Sequence, residues 1–300
     1  MAGKPRATSS QWFNFTRDSY LERTSRPVYA IVYLLPFIIF YELGTIFINT
    51  DVLSQTQVRV VAFVWLQELL RYLGFGGKFL WATPALVVVV ILLAYQLVSG
   101  KRWWVSFGDI LPMTIECTLL AVPLIVLSLF LHNQPVYKNS AAIDNMPATV
   151  QVAAERATGL VQLQNPPPTH TGAARQGPAL LAEIVTGIGA GIYEELLFRL
   201  VLICTLMLLF QNVLGWGKGN SIAMSVLISA ALFAAHHNVD FLSGQPNQMD
   251  LFDWPKFIFR IMAGVYFAIL FAIRGFGITA GTHALYDIIA TLINALVFHR

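Results

Sequence analysis

Two adjacent carboxylates, a guanidinium, three imidazoles and one further carboxylate lie inside stretches that otherwise read as membrane-spanning helix: Glu194, Glu195, Arg199, His236, His237, His283 and Asp287. A charged side chain at the centre of a bilayer helix costs roughly 2.5–3.5 kcal/mol on insertion scales, so such groups pair, line a wet cavity or carry out chemistry. Carboxylates and imidazoles are the side chains that exchange protons with water near neutral pH.

Their spacing assigns them roles. In Glu194-Glu195-Leu196-Leu197-Phe198-Arg199, Glu195 and Arg199 stand at i and i+4 on one helix face, with the carboxylate N-terminal to its cation, the better orientation. Arg199 neutralises Glu195 and makes that pair mainly structural. Glu194 is rotated by about 100° and lacks this partner. It is the carboxylate left to act as general base or acid. Gly187, Ala190 and Gly191 form a side-chain-poor stripe leading to it, and the G-x-x-x-G spacing also suits close helix packing. Glu183, earlier on that face, is expected at a cavity mouth. In Phe233-Ala234-Ala235-His236-His237, Phe233 lies one turn below His237 and can fix its ring. Two consecutive helical residues point about 100° apart, so His236 and His237 are not expected to share one site, and His236 is the second choice. In His283-Ala284-Leu285-Tyr286-Asp287, Asp287 is one turn from His283 and is placed to hold its tautomer or to meet substrate.

The elements that must carry these groups are helices in lipid. The chain has 300 residues, 56% hydrophobic and 12% charged, against about 25% charged in soluble domains. Mean hydropathy is +0.64. Apolar stretches at 28–49, 80–99, 112–132, 179–210, 220–238, 257–274 and 277–298 have the length of spans, the fourth being too long for one upright helix. The stretch 57–76 carries Arg59, Glu68 and Arg71, and reads as either an eighth helix or an interfacial amphipathic one. The expected fold is therefore all-α: a polytopic membrane bundle of about 7–8 transmembrane helices around a polar cavity. Its divisions are a polar tail at 1–27, N-terminal helices at 28–178 with an extramembrane insertion at 133–178, and a catalytic region at 179–300. A net charge of +3 argues against a nucleic-acid partner. Cys117 and Cys204 fall in apolar runs and read as hydrophobes, not a disulfide.

Taken together, E-E-x-x-x-R, F-x-x-x-H and H-x-x-x-D, in that order on three spans, resemble the CPBP family of intramembrane proteases. That family includes type II CAAX prenyl endopeptidases and bacteriocin-processing or self-immunity (Abi-like) proteins. The resemblance covers about residues 179–298. It implies that Glu194 activates a water with His237, and that His283 with residue 287 stabilises the oxyanion. The family pattern has Asn where this chain has Asp287, and an ionised Asp accepts hydrogen bonds but donates none.

The expected activity is a membrane-embedded endopeptidase without cofactor. Its partners are a peptide or protein substrate, membrane-associated or lipidated, and the bilayer; its location is a multi-pass position in a bacterial inner membrane. Two alternatives stand beside it. One is a zinc protease with Glu194, His237 and His283 as ligands, although H-E-x-x-H is absent. The other is a non-enzymatic transporter or immunity protein whose buried charges form a path or a peptide site. Depth along the helices puts His237 late in its span and His283 early in the last, so their convergence needs offset spans or a helix that runs past residue 238.

Overall fold

The computed structural model describes residues 18–51, 60–75, 82–132, 176–239, 241 and 252–298. The expected insertion, with a short helix near 149–163, lies outside the described residues, as do Trp81, Arg59 and most of the polar tail. Among the described residues the chain is helical throughout: α1 (Tyr20–Thr24), α2 (Pro27–Asp51), α3 (Val61–Tyr72), α4 (Thr83–Ser99), α5 (Ile110–His132), α6 (Gln176–Glu195), α7 (Cys204–Leu208), α8 (Lys218–His236) and α9 (Trp254–Ile293). Leu196–Ile203 and Leu209–Val213 are π-helical and join α6 and α7 into one apolar rod.

Among the described residues, five rods are long and apolar enough to cross a membrane: Pro27–Phe47, Phe107–Leu131, Leu180–Val213, Lys218–His236 and Trp254–Leu296. The last is a hairpin. Gly275 breaks α9 with φ 75° and ψ −179°. The rings of Phe267 and His283 stack at 4.5 Å, whereas 16 residues of straight helix would separate them by about 24 Å. Two antiparallel arms, 254–274 and 276–293, therefore stand where the sequence places two spans, and α4 is a further apolar helix of 17 residues. α3, with 12 residues, is too short to span. It buries Ala62, Phe63 and Leu70 and leaves the Arg71–Glu68 pair exposed at 2.6 Å, so the described part of this stretch is a short amphipathic helix.

The second arm of α9 is the centre of the bundle, with every residue from 276 to 284 buried. Lipid is as apolar as leucine, so close packing of small residues takes the place of hydrophobic collapse. A Cβ on Gly191 would lie 2.5 Å from the Ala284 backbone nitrogen, and one on Gly187 would lie 2.6 Å from the Asp287 Cβ. Gly277 meets Ala30 of α2, and Gly281 meets Tyr33 and Cys117. The glycine stripe thus sets α6 against the arm that carries His283. Cys117 is buried, but Cys204 is exposed on the outer surface, and both are free.

The turn at Gly275 is fastened by ion pairs and hydrogen bonds. Arg274 donates to both Glu116 carboxylate oxygens, at 2.6 and 2.8 Å, and to the Leu21 carbonyl at 2.8 Å. Arg23 grips Asp109 at 3.0 and 2.9 Å, and the Tyr29 hydroxyl donates to the same carboxylate at 2.8 Å. Residues 18–26, read from sequence as part of a polar tail, are this fastening.

Two outcomes follow from this packing. Gly191→Ala should cost about 1–3 kcal/mol, read as a lower thermal midpoint in micelles. Gly219→Ala, with nothing within 4 Å, should be neutral or stabilising. The hydrogen bond from Arg26 holds the Glu22 carboxyl below its ordinary value of 4.5. A lowered folded-state value stabilises above the unfolded value and is lost as pH falls, so hydrogen-exchange protection factors at 18–26 should fall below about pH 4.5 and stay flat between pH 6 and 8.

Candidate active site

Three elements meet at the ring of Phe233. Its centroid is 5.4 Å from that of His236, 5.3 Å from His237 and 6.0 Å from His283, and the Arg199 guanidinium carbon lies 4.2 Å over it. α8 supplies the two adjacent histidines, the α6 rod supplies Glu194, Glu195 and Arg199, and the second arm of α9 supplies His283 and Asp287. Convergence comes from offset spans; α8 ends at His236 and does not run past 238.

Glu195 and Arg199 pair as expected, at 3.0 Å and with neither side chain exposed. Arg199 sits in the π-helical stretch, a local widening that recurs at functional sites. Its Nε–H is not aimed along the ion-pair line, and Nη1 has no hydrogen-bond partner. Nη2 donates to the Gly264 carbonyl at 3.3 Å, and the faces of Phe233 and Phe267 supply cation–π contacts. The second Glu195 oxygen accepts from His283 Nδ1 at 2.8 Å. Glu195 thus joins Arg199 to His283, a link the sequence reading did not contain. It is this carboxylate, nearer than Asp287, that sets the His283 tautomer; Asp287 Oδ2 lies 3.5 Å from Nε2.

The two adjacent histidines depart from expectation. Their ring centroids are 3.9 Å apart, and both Nδ1 atoms point at the Phe233 carbonyl, that of His237 at 3.0 Å. His237 keeps helical backbone angles just past the end of α8, so the two rings meet through their side-chain torsions: at three and four residues after Phe233, both turn back to its carbonyl. A carbonyl accepts only, so each ring carries a proton on Nδ1 and, when neutral, offers Nε2 as an acceptor. His236 Nε2 stands 3.5 Å from Glu194 Oε1, and the ligand atoms of Glu194, His236 and His237 all lie within 4.8 Å of one another. Glu194, expected to stand alone, has His236 as its neighbour. His236 is walled in by Phe198 at 4.8 Å and by Trp65 of α3 at 5.8 Å between centroids.

A cavity of about 350 Å³ runs between α6 and the second arm of α9, lined by Ala182, Glu183, Thr186, Gly187, Asp287, Ala290 and Thr291. Glu183 is exposed at its mouth and Asp287 is at its inner end. Sequence reasoning missed Trp65, and it passed over Glu42, Glu116, Arg260 and Arg274, charges in the same apolar runs. Glu42 accepts from the Tyr193 hydroxyl at 3.1 Å, behind Glu194. The signal was present, since each is an ionisable residue at membrane depth.

A helical membrane bundle that buries an acid–imidazole cluster defines the class. Residues 176–289 match the family described as type II CAAX prenyl endopeptidase Rce1-like, a protease family, in agreement with the resemblance carried by the three motifs. Neither the curated proteins nor the solved structures give a match.

Removing one member of a buried ion pair strands the other, at a cost of about 3–5 kcal/mol. Arg199→Met alone should therefore lower the thermal midpoint in micelles more than the double variant Glu195→Gln/Arg199→Met. Equal or additive losses would show that the pair is uncoupled.

Proposed function

We propose that this chain is an intramembrane endopeptidase of the CAAX-protease type that cleaves with a water activated by Glu194. The observation that carries the reading is the gathering of the Glu194 carboxylate and the His236 and His237 imidazoles within 4.8 Å of one another. A carboxylate and imidazoles around one point suit a water held as nucleophile. A water there donates one O–H to Glu194 and the other to an imidazole Nε2, with His237 the imidazole that the family motif selects. Both contacts raise the nucleophilicity of the oxygen.

In the reaction, the water oxygen attacks the scissile carbonyl while Glu194 takes its proton. The carbonyl oxygen gains negative charge and is met by His283, whose Nδ1 is committed to Glu195. As an imidazolium between the Glu195 and Asp287 carboxylates, the ring also carries an N–H on Nε2, and that N–H meets the developing charge. Asp287, as a carboxylate, cannot donate to that oxygen; its role in this reading is to orient His283 and to face substrate at the inner end of the cavity. Glu194 then returns its proton to the leaving amine. Glu195, Arg199, Phe233 and His236 hold the geometry.

The substrate in this reading is a peptide tail that reaches the site from the membrane surface along the α6–α9 cavity. The family description favours a prenylated tail. No metal cofactor is required. Glu194→Ala should reduce cleavage of a membrane-anchored peptide by more than about a hundredfold, and His283→Ala should do likewise, with both proteins still inserted in membranes and monodisperse. Wild-type turnover by Glu194→Ala would sink the reading. Comparing matched peptides with and without an isoprenoid tests the substrate class.

A further inference from the structure

We infer that Arg260, on the first arm of α9, is a specificity-determining residue that receives the terminal carboxylate of the peptide substrate; the inference deepens the protease reading and rests on it. Arg260, Ala263, Gly264 and Phe267 stand at i, i+3, i+4 and i+7 and share one face of the arm. The last three are buried against the site. A Cβ on Gly264 would lie 3.0 Å from the Ala230 Cα of α8, the Gly264 carbonyl accepts from Arg199, and the Phe267 ring stacks on His283. Arg260 is the next residue outward on this face. It is half-buried, with Nη1 enclosed, and its charge acts on His237 at the end of α8 and on Tyr286 of the second arm.

Charge decides which part of a substrate comes here. The α6–α9 cavity holds Glu183 at its mouth and Asp287 at its inner end. Both repel a terminal carboxylate, so the chain upstream of the scissile bond occupies that cavity and the tail end turns to the α8 side. Arg199, the other guanidinium at the site, is committed to Glu195. A planar guanidinium binds a carboxylate through two parallel N–H donors. Arg260 is also engaged within the protein, and its five donors leave capacity for a second acceptor.

The reach fits. Seven residues of helix put Arg260 about 10 Å outward of Phe267, and so of the His283 ring stacked on it. An extended peptide covers that distance in about three residues. A substrate whose cleaved bond lies at His283 can therefore place a nearby chain end on Arg260.

The test is cleavage by full-length protein in micelles of matched membrane-anchored peptides that end in a carboxylate or a carboxamide. Wild type should cleave the acid at least about tenfold better in kcat/KM, chiefly through KM. Arg260→Gln should bring the acid-to-amide ratio to about one, and Arg260→Lys, which keeps the charge but not the fork, should give an intermediate ratio. A merely structural arginine would lower both activities together and leave the ratio in place. A wild-type ratio near one, or an unchanged ratio in Arg260→Gln, would overturn the inference. If Arg260→Gln is not monodisperse, an unchanged ratio in Arg260→Lys overturns it equally. Binding of the two peptides to Glu194→Ala separates the readings. Cleavage by wild type with equal binding of acid and amide defeats this inference alone; preferential binding of the acid by a wild type that cleaves neither peptide defeats the protease reading alone.

Discussion

A single buried carboxylate holds the arrangement together. Glu195 gives one oxygen to Arg199 on its own rod and the other to His283 on the arm beyond Gly275, with no exposure to solvent or lipid. An acid at this depth is tolerable only if its charge is met, and Arg199 meets it. The remaining oxygen then fixes an imidazole from a distant part of the chain. Everything that brings α6 against the second arm of α9 serves this contact. The glycines at 187 and 191 remove the side chains that would hold the helices apart, and the Arg274–Glu116 clamp sets where the arm begins.

The second determinant is the end of α8. His236 and His237 stand three and four residues after Phe233, and both rings turn back to its carbonyl beside Glu194. Helix ends leave carbonyls without backbone partners, and side chains that satisfy them gain a fixed direction. Here the satisfaction of a helix terminus sets the chemistry of the pocket.

Much of this was legible in the residues. The all-helical membrane fold followed from composition and run length, and the Glu195–Arg199 and His283–Asp287 neighbours followed from i, i+4 spacing. The two arms of α9 correspond to the separate apolar stretches read at 257–274 and 277–298. Three things were not legible. The pairing of Glu195 with His283 joins residues 88 positions apart, and helical periodicity says nothing about which faces of separate helices meet. The sharing of one site by His236 and His237 depends on side-chain rotamers that turn both rings back to the Phe233 carbonyl, and residue spacing does not specify those. The position of Trp65 over His236 requires knowing that α3 lies across the bundle and does not span it.

The central claim is that the imidazoles are locked in defined protonation patterns around Glu194: proton on Nδ1 for His236 and His237, and Nδ1 of His283 donating to Glu195. Solid-state ¹⁵N spectroscopy of histidine-labelled protein in bilayers near neutral pH, with His236→Gln, His237→Gln and His283→Gln for assignment, reads this directly. The account predicts Nδ1–H with bare Nε2 for both α8 histidines and a protonated Nδ1 for His283. Nε2–H tautomers at His236 and His237, or a His283 whose Nδ1 carries no proton, would contradict it.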